Sequence, residues 1–495
     1  MESLQRKNSI KPSLDEPKKE AAQDTMIVEK ATELERSLGL FNTVTLMLSV
    51  TGHVAVFITP GIIIRLAGSL VSCLILWCLG SLAVYSMALC FIEMATIFQK
   101  AGGPYLYVTE AFGNIPGFLI AWGYIALISG PFLAFLSQTA ALYIITAIVV
   151  DADCDSRWFK LCKQILAGWI LLTMAYLNCA FLKVVVKLQN VLTMMRIVAI
   201  GLIIFCGLYI SFTRTVENFD APLEGSHVKL GSMALGFVFV IFSLGGWQAI
   251  CPLTEEIHNP EKTMPRAIHI SFAVQVSLYM LTYVSYLSVL NKAEVIGSSA
   301  IALLFCRRVW QPLVPIMSLL VSLACIGALN TGIMGHSRVL YAAARKGVMP
   351  SLLNTLHPTY KTPMMSIMAL VLYGIFLICS GGSEEMMEFI GLFSLIMSLN
   401  VISGLLYLRY TQPLLERPYK VPTLVAIMQV WLALILLVLI VYQKPVLMSV
   451  GIAIYLSGIP VYIFLVKWSR KPKIFVDSVG KVTALCQKLF QQVHE

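Results

Sequence analysis

Apolar residues run through most of the chain in stretches of roughly twenty, parted by short polar segments. That is the length an α-helix needs to cross the hydrocarbon core of a bilayer. Twelve such runs can be read, near residues 41–64, 68–97, 115–148, 164–182, 189–212, 231–254, 268–290, 312–341, 363–380, 386–408, 421–442 and 446–467. The pattern predicts an all-α membrane protein with twelve transmembrane helices over 40–468. Residues 1–39 are polar, charged and poor in aromatics, so they are expected to form a disordered tail. Residues 469–495 make a second tail.

Two runs are interrupted. "VTGHVAVFITPGIII" (50–64) places Gly52, His53 and Pro60 at bilayer depth. Gly and Pro loosen the backbone ladder that a lipid-crossing helix must close on itself, and an ionisable side chain there is expensive. "FSLGGWQAICPLTEEIHNP" (242–260) carries Gly245 and Gly246 in mid-run. Either pair of features could reflect close helix packing. Together they fall in the first and sixth runs, the corresponding positions of two inverted five-helix repeats, with two helices left over at the C-terminus. Broken helices free N–H and C=O groups near the midplane. Half-helix N-termini then suit a carboxylate and freed carbonyls an ammonium, which is the chemistry of an α-amino acid.

Composition and charge sharpen this picture. Hydrophobic residues make up 58% of the chain and charged ones 13%, against about 25% charged in soluble domains. With the N-terminus inside, inner loops hold Lys183, Lys187, Lys262, Arg266, Arg338, Arg345 and Lys346. Outer loops hold Asp151, Asp153, Asp155, Glu217, Asp220, Glu224, Glu384, Glu385 and Glu388. Lys and Arg in short loops set orientation, so both termini are expected in the cytoplasm. No cleavable signal is apparent. The net charge of +10 then follows from topology, and no nucleic-acid partner is implied. No C-x-x-C, H-E-x-x-H or Gly-rich phosphate loop appears, so no enzyme chemistry, metal or cofactor is expected. Of twelve cysteines, Cys154 stands apart in the outer polar loop "DADCDSRWFKLC". An intermolecular disulfide and a local bridge to Cys162 both remain open for it. No Asn-x-Ser/Thr sequon is present.

Five segments carry a resemblance: "FIEMATIFQKAGGPYLYVTEAFG", "GGWQAICPLTEEIHNPEKTMPRAI", "SRVLYAAARKGVMPSLL", "LERPYKVP" and "SGIPVYIFLVKWSRKPK". They are similar to the L-type amino-acid transporters, light subunits of heteromeric amino-acid transporters in the amino acid–polyamine–organocation superfamily. The likeness runs over roughly 40–490. It implies the twelve-helix inverted-repeat fold, a plasma-membrane location and exchange of amino acids without a driving ion. It also implies a disulfide from Cys154 to a single-pass glycoprotein heavy chain.

Carried over residue by residue, the resemblance places an aromatic gate at Phe242, for which lipid or core packing is the alternative. Arg196 falls where related carriers use a basic side chain in place of a bound cation; a structural brace to first-span carbonyls is the alternative. The family's first-span Gly-Ser-Gly-Ile-Phe is "HVAVF" here, with His53 and Ala55 at the glycines and Val54 at the serine. His53 could donate to the substrate carboxylate or hold a backbone carbonyl in a pocket that binds nothing. A third-span basic residue of several relatives is Gly130, and a tenth-span aromatic is Ser398. The candidate substrate site is therefore Thr51, Gly52, His53, Val54, Ala55, Phe242, Ser243, Gly245 and Ser398, with Met397 beside them. Glu255 and Glu256 fall at the inner end of the sixth span, outside it. This pocket is apolar and roomy, which predicts neutral substrates, large or aromatic L-amino acids first. The altered first-span motif also permits a transport-impaired subunit retained as a heavy-chain partner.

Overall fold

The computed structural model describes residues 36–51, 55–148, 156–213, 230–298, 300–381, 383–468, 481, 483–485 and 493–494. The first span comes in three pieces, α1 (Leu40–Val50), α2 (Ala55–Ile58) and α3 (Pro60–Ala67). The second is one helix, α4 (Leu70–Ile97), started by Ser69, whose hydroxyl accepts the Ser72 N–H at 3.2 Å. A short helix, α5 (Pro104–Phe112), precedes the third span. That span runs through α6 (Asn114–Gly123), a π-helical stretch at Tyr124–Ser129, and α7 (Gly130–Ile148). The fourth and fifth are α8 (Arg157–Ala180) and α9 (Leu182–Thr213).

The sixth span begins as α10 (Leu230–Ser243) and resumes as a 3-10 helix, Trp247–Glu256. The seventh is α11 (Pro260–Val289), followed by α12 (Lys292–Gly297) and α13 (Ile301–Val309). Then come α14 (Leu313–Arg345), α15 (Met364–Ser380), α16 (Ser383–Thr411) and α17 (Thr423–Gln443). The twelfth span is α18 (Pro445–Leu456) with α19 (Gly458–Tyr462). The only strands among the described residues form a two-residue ladder, Thr355–Leu356 with Val493–His494.

Ten helical stretches are long and apolar enough to cross a membrane, and Gly231–Ile241 and Met364–Ser380 are shorter apolar helices in the places of the sixth and ninth runs. The chain is thus an all-α multi-span membrane protein, with its interruptions in the first and sixth spans. The third span is 78% buried and the eighth 61%, whereas the fourth and eleventh are 28% and the twelfth 17%. With the first at 73% and the second at 61%, the first, second, third and eighth spans form the centre. The outer spans turn side chains such as Trp169, Trp431 and Val438 outward, as a lipid-facing surface requires.

Ion pairs tie the helix ends together on the face rich in Lys and Arg. Arg338 forks onto Glu256 (Nε to Oε1 2.7 Å, Nη2 to Oε2 3.2 Å), with both side chains buried. Arg345 pairs with Glu255 at 3.2 Å, and Glu255 also accepts the Ala101 N–H at 2.8 Å. Buried Glu93 takes Arg409 and the Val421 N–H. The backbone before α1 joins this cluster: the Ser37 and Leu38 N–H groups donate to the Glu256 carbonyl at 2.9 and 3.0 Å. Start of the first span and end of the sixth are thereby held side by side.

Candidate functional site

The first break begins where α1 ends. Thr51 turns extended (φ −67°, ψ 119°) while its N–H still bonds the Met47 carbonyl at 2.8 Å. Gly52, His53 and Val54 lie outside the described residues. Helix resumes at Ala55, and Pro60 opens α3 at a position where its missing N–H costs nothing. A helix C-terminus leaves its last carbonyls unpaired and partially negative. Arg196 of the fifth span supplies donors to them. Its Nη1 bonds the carbonyls of Leu48 and of Ser49 (3.0 Å). Its Nη2 bonds the Thr51 carbonyl at 3.0 Å and the Tyr279 hydroxyl at 2.8 Å. Arg196 is 2% exposed.

The second break follows Ser243. Gly246 adopts φ +99°, and a Cβ on it would sit 2.3 Å from the Val50 carbonyl oxygen. Only glycine fits both the left-handed conformation and the approach. The two breaks thus touch, sixth-span backbone on the last carbonyl of α1. Beside them the Ser243 hydroxyl donates to Phe239 O at 2.6 Å and lies 3.0 Å from the Thr59 hydroxyl, joining α10 to the other half of the first span.

A cavity adjoins this junction. Val50, Gly245, Gly246, Trp247, Gln248 and Ala249 form the wall nearest the breaks. Val84 and Met87 close it from the second span, and Tyr124, Ile128 and Phe132 from the third. His336 comes from the eighth, Ser394, Met397 and Ser398 from the tenth, and Leu436 and Ile440 from the eleventh. Among the described lining residues there is no Asp, Glu, Lys or Arg. Ser398 spends its hydroxyl hydrogen on Ser394 O at 2.7 Å. The side chains of Trp247 and His336 are buried, and Trp247 Nε1 and His336 Nδ1 have no hydrogen-bond partner.

Of the residues expected at the site, Gly245, Met397 and Ser398 line this cavity. Thr51 lies at the end of α1, buried with an unpartnered hydroxyl, and the Ala55 carbonyl accepts the Thr59 hydroxyl at 2.8 Å. Ser243 faces Thr59. The Phe242 side chain and all of Cys154 lie outside the described residues. Arg196 makes the brace to the first span, and Glu255 and Glu256 are held by arginines at the helix ends. At Gly130 the space a side chain would need is taken by Tyr373, whose ring comes within 2.1 Å of a built Cβ and whose hydroxyl bonds Ala126 O at 2.9 Å. Trp247, Gln248 and His336 also line the cavity, beyond the residues that the sequence points to. Trp247 and Gln248 sit directly after the glycine pair. His336 carried a readable signal, as an ionisable residue inside a span.

Fold and site together define a multi-span helical permease whose cavity meets two discontinuous helices. The model of the family described as amino acid permease matches residues 38–466, and the chain belongs to that family. It is 29% identical over 468 residues to the human cystine/glutamate transporter, covering 94% of this chain and 92% of that one. It is 27% identical to the mouse large neutral amino acids transporter small subunit 2, covering 92% and 86%. To the human Asc-type amino acid transporter 1 it is 27% identical, covering 89% and 84%. The resemblance to light subunits of heteromeric transporters agrees with these relatives.

Proposed function

We propose that this chain is a sodium-independent exchanger of neutral L-amino acids, large or aromatic ones first. It works at the plasma membrane, with both termini cytoplasmic, as the light subunit of a heterodimer linked through Cys154. The observation that carries the substrate class is the cavity wall, which is largely apolar and has no Asp, Glu, Lys or Arg among its described residues. A neutral side chain enters such a wall at no cost, whereas a charged one would leave its ion unpaired. The cystine/glutamate transporter among the relatives is named for an anionic substrate. No cation is present in the described wall to hold one, and the Gly130 position is filled by Tyr373.

Independence from sodium rests on Arg196, whose guanidinium already occupies the carbonyl end of α1, where a cation is favoured. The free amino and carboxyl groups of the substrate fall to the backbone of the two breaks, with Thr51 to Ala55 on one side and Ser243 to Gly245 on the other. Phe242 covers the site as its gate.

The reading is tested by uptake of labelled L-tyrosine and L-leucine into preloaded cells that co-express a glycoprotein heavy chain. Saturable uptake that rises with internal amino acid, and a heterodimer band lost on reduction and in Cys154→Ser, are the expected results. Complexes that reach the surface but move nothing, with flux restored by His53→Gly, would leave the native chain as a heavy-chain partner alone.

A further inference from the structure

His336 is the buried ionisable side chain in a wall whose described residues include no Asp, Glu, Lys or Arg, and nothing described so far uses it. It is 2% exposed. Tyr124 meets it edge-on at 5.2 Å between ring centroids, and Phe132 lies at 5.3 Å. These rings pack the imidazole, yet they give its Nδ1 no hydrogen-bond partner. The preceding residue pins the backbone: a Cβ on Gly335 would lie 2.2 Å from the Ala249 carbonyl oxygen, so the eighth span is pressed against the sixth just after its break. In the same wall the Trp247 indole, held edge-on by Phe91 at 5.0 Å, also has an unpartnered N–H. Buried polar groups are almost always satisfied. Two unsatisfied ones on side chains that line the same cavity point to a ligand that brings its own polar atom.

We propose that His336 reads the far end of the substrate side chain, and that the preferred substrate is an aromatic amino acid carrying a ring hydroxyl. A phenol both donates and accepts, which suits an imidazole nitrogen in either tautomer, and it can also accept from the indole N–H. The surrounding Tyr124, Phe132, Ile128 and Met397 suit the ring itself. This deepens the exchanger reading and rests on it. A site with polar atoms waiting for a hydroxyl discriminates against the analogue that lacks one, since that analogue leaves them unpaired.

The experiment compares half-saturation for L-tyrosine and L-phenylalanine in preloaded cells expressing the full complex, with surface protein measured in parallel. The native chain should favour tyrosine by about tenfold, the worth of one neutral hydrogen bond. In His336→Leu the ratio should fall towards one, and His336→Gln should keep part of it. An unchanged ratio in His336→Leu, or equal handling of both substrates by the native chain, overturns the assignment of His336 and leaves the exchanger reading intact. A native complex that carries neither defeats the exchanger reading and this inference with it. Competition by para-methylphenylalanine provides a check on unmutated protein: inhibition as tight as that of tyrosine would overturn the role of the hydroxyl.

Discussion

At the scale of single residues, Gly246 and Arg196 hold the two breaks together. Gly246→Ala puts a methyl 2.3 Å from the Val50 carbonyl in a left-handed backbone. The conformation alone costs about 1–2 kcal/mol, and the clash must also push α1 away. The expected outcome is a clear fall in the thermal midpoint of the detergent-purified protein and loss of exchange. Gly168→Ala serves as the contrast. It lies within α8 with nothing within 4 Å of the added Cβ, and should leave the midpoint unchanged or raise it, the gain in stability being up to about 1 kcal/mol. Arg196→Lys keeps the charge but cannot span the Leu48, Ser49 and Thr51 carbonyls and the Tyr279 hydroxyl with one ammonium. Flux measured at matched surface expression should drop at least about tenfold, the loss of one or more buried hydrogen bonds at about 1–3 kcal/mol each.

Among the elements, the ends that close the Lys- and Arg-rich face carry the charges. Glu256→Ala strands the buried Arg338 guanidinium, 1% exposed, and should destabilise by about 3–5 kcal/mol. The double variant Glu256→Ala with Arg338→Ala removes both charges and should recover part of that loss in the same thermal measurement; a strictly additive double would contradict the buried pair. The loop between α14 and α15 carries a pH response. His357 accepts the Thr359 and Tyr360 N–H groups on Nδ1 at 3.2 and 3.3 Å, and burial holds it below the ordinary histidine value. A histidine whose folded value is lowered stabilises the neutral form. That contribution is complete above the unfolded value, about 6.5, and is lost as pH falls below it towards the folded one. Protonated Nδ1 can no longer accept. Hydrogen exchange at Thr359 and Tyr360 should therefore quicken, after correction for intrinsic rates, as pH drops from neutral to about 5, and should not in His357→Asn.

Over the whole molecule, the spans were legible because a bilayer demands long apolar runs, and each of the twelve runs corresponds to helix in the structure. The paired interruptions were legible because glycines in corresponding spans are a two-site signal. Less of the cavity could be read. Trp247–Glu256 continues the apolar run of α10, so hydropathy gave no sign that it returns as a 3-10 helix around Pro252. Pro60 reads as a helix breaker, but opens α3. His336 and Tyr124 meet only through the packing of the third span on the eighth, a contact between distant segments that no local pattern encodes. Conversely, Gly130 was noticed as a missing charge, and its reason, the Tyr373 ring from the ninth span, is visible only in three dimensions.

The proposed function is exchange of a neutral amino acid at the junction of two broken helices, with Arg196 standing where an ion would. Counterflow in proteoliposomes holding the purified complex tests it most directly: labelled L-tyrosine outside, unlabelled L-tyrosine inside, choline replacing sodium. Uptake that overshoots equilibrium, is abolished without internal amino acid and is unaltered by adding sodium is the predicted result. Uptake that needs sodium, or that proceeds equally into empty vesicles, would contradict it.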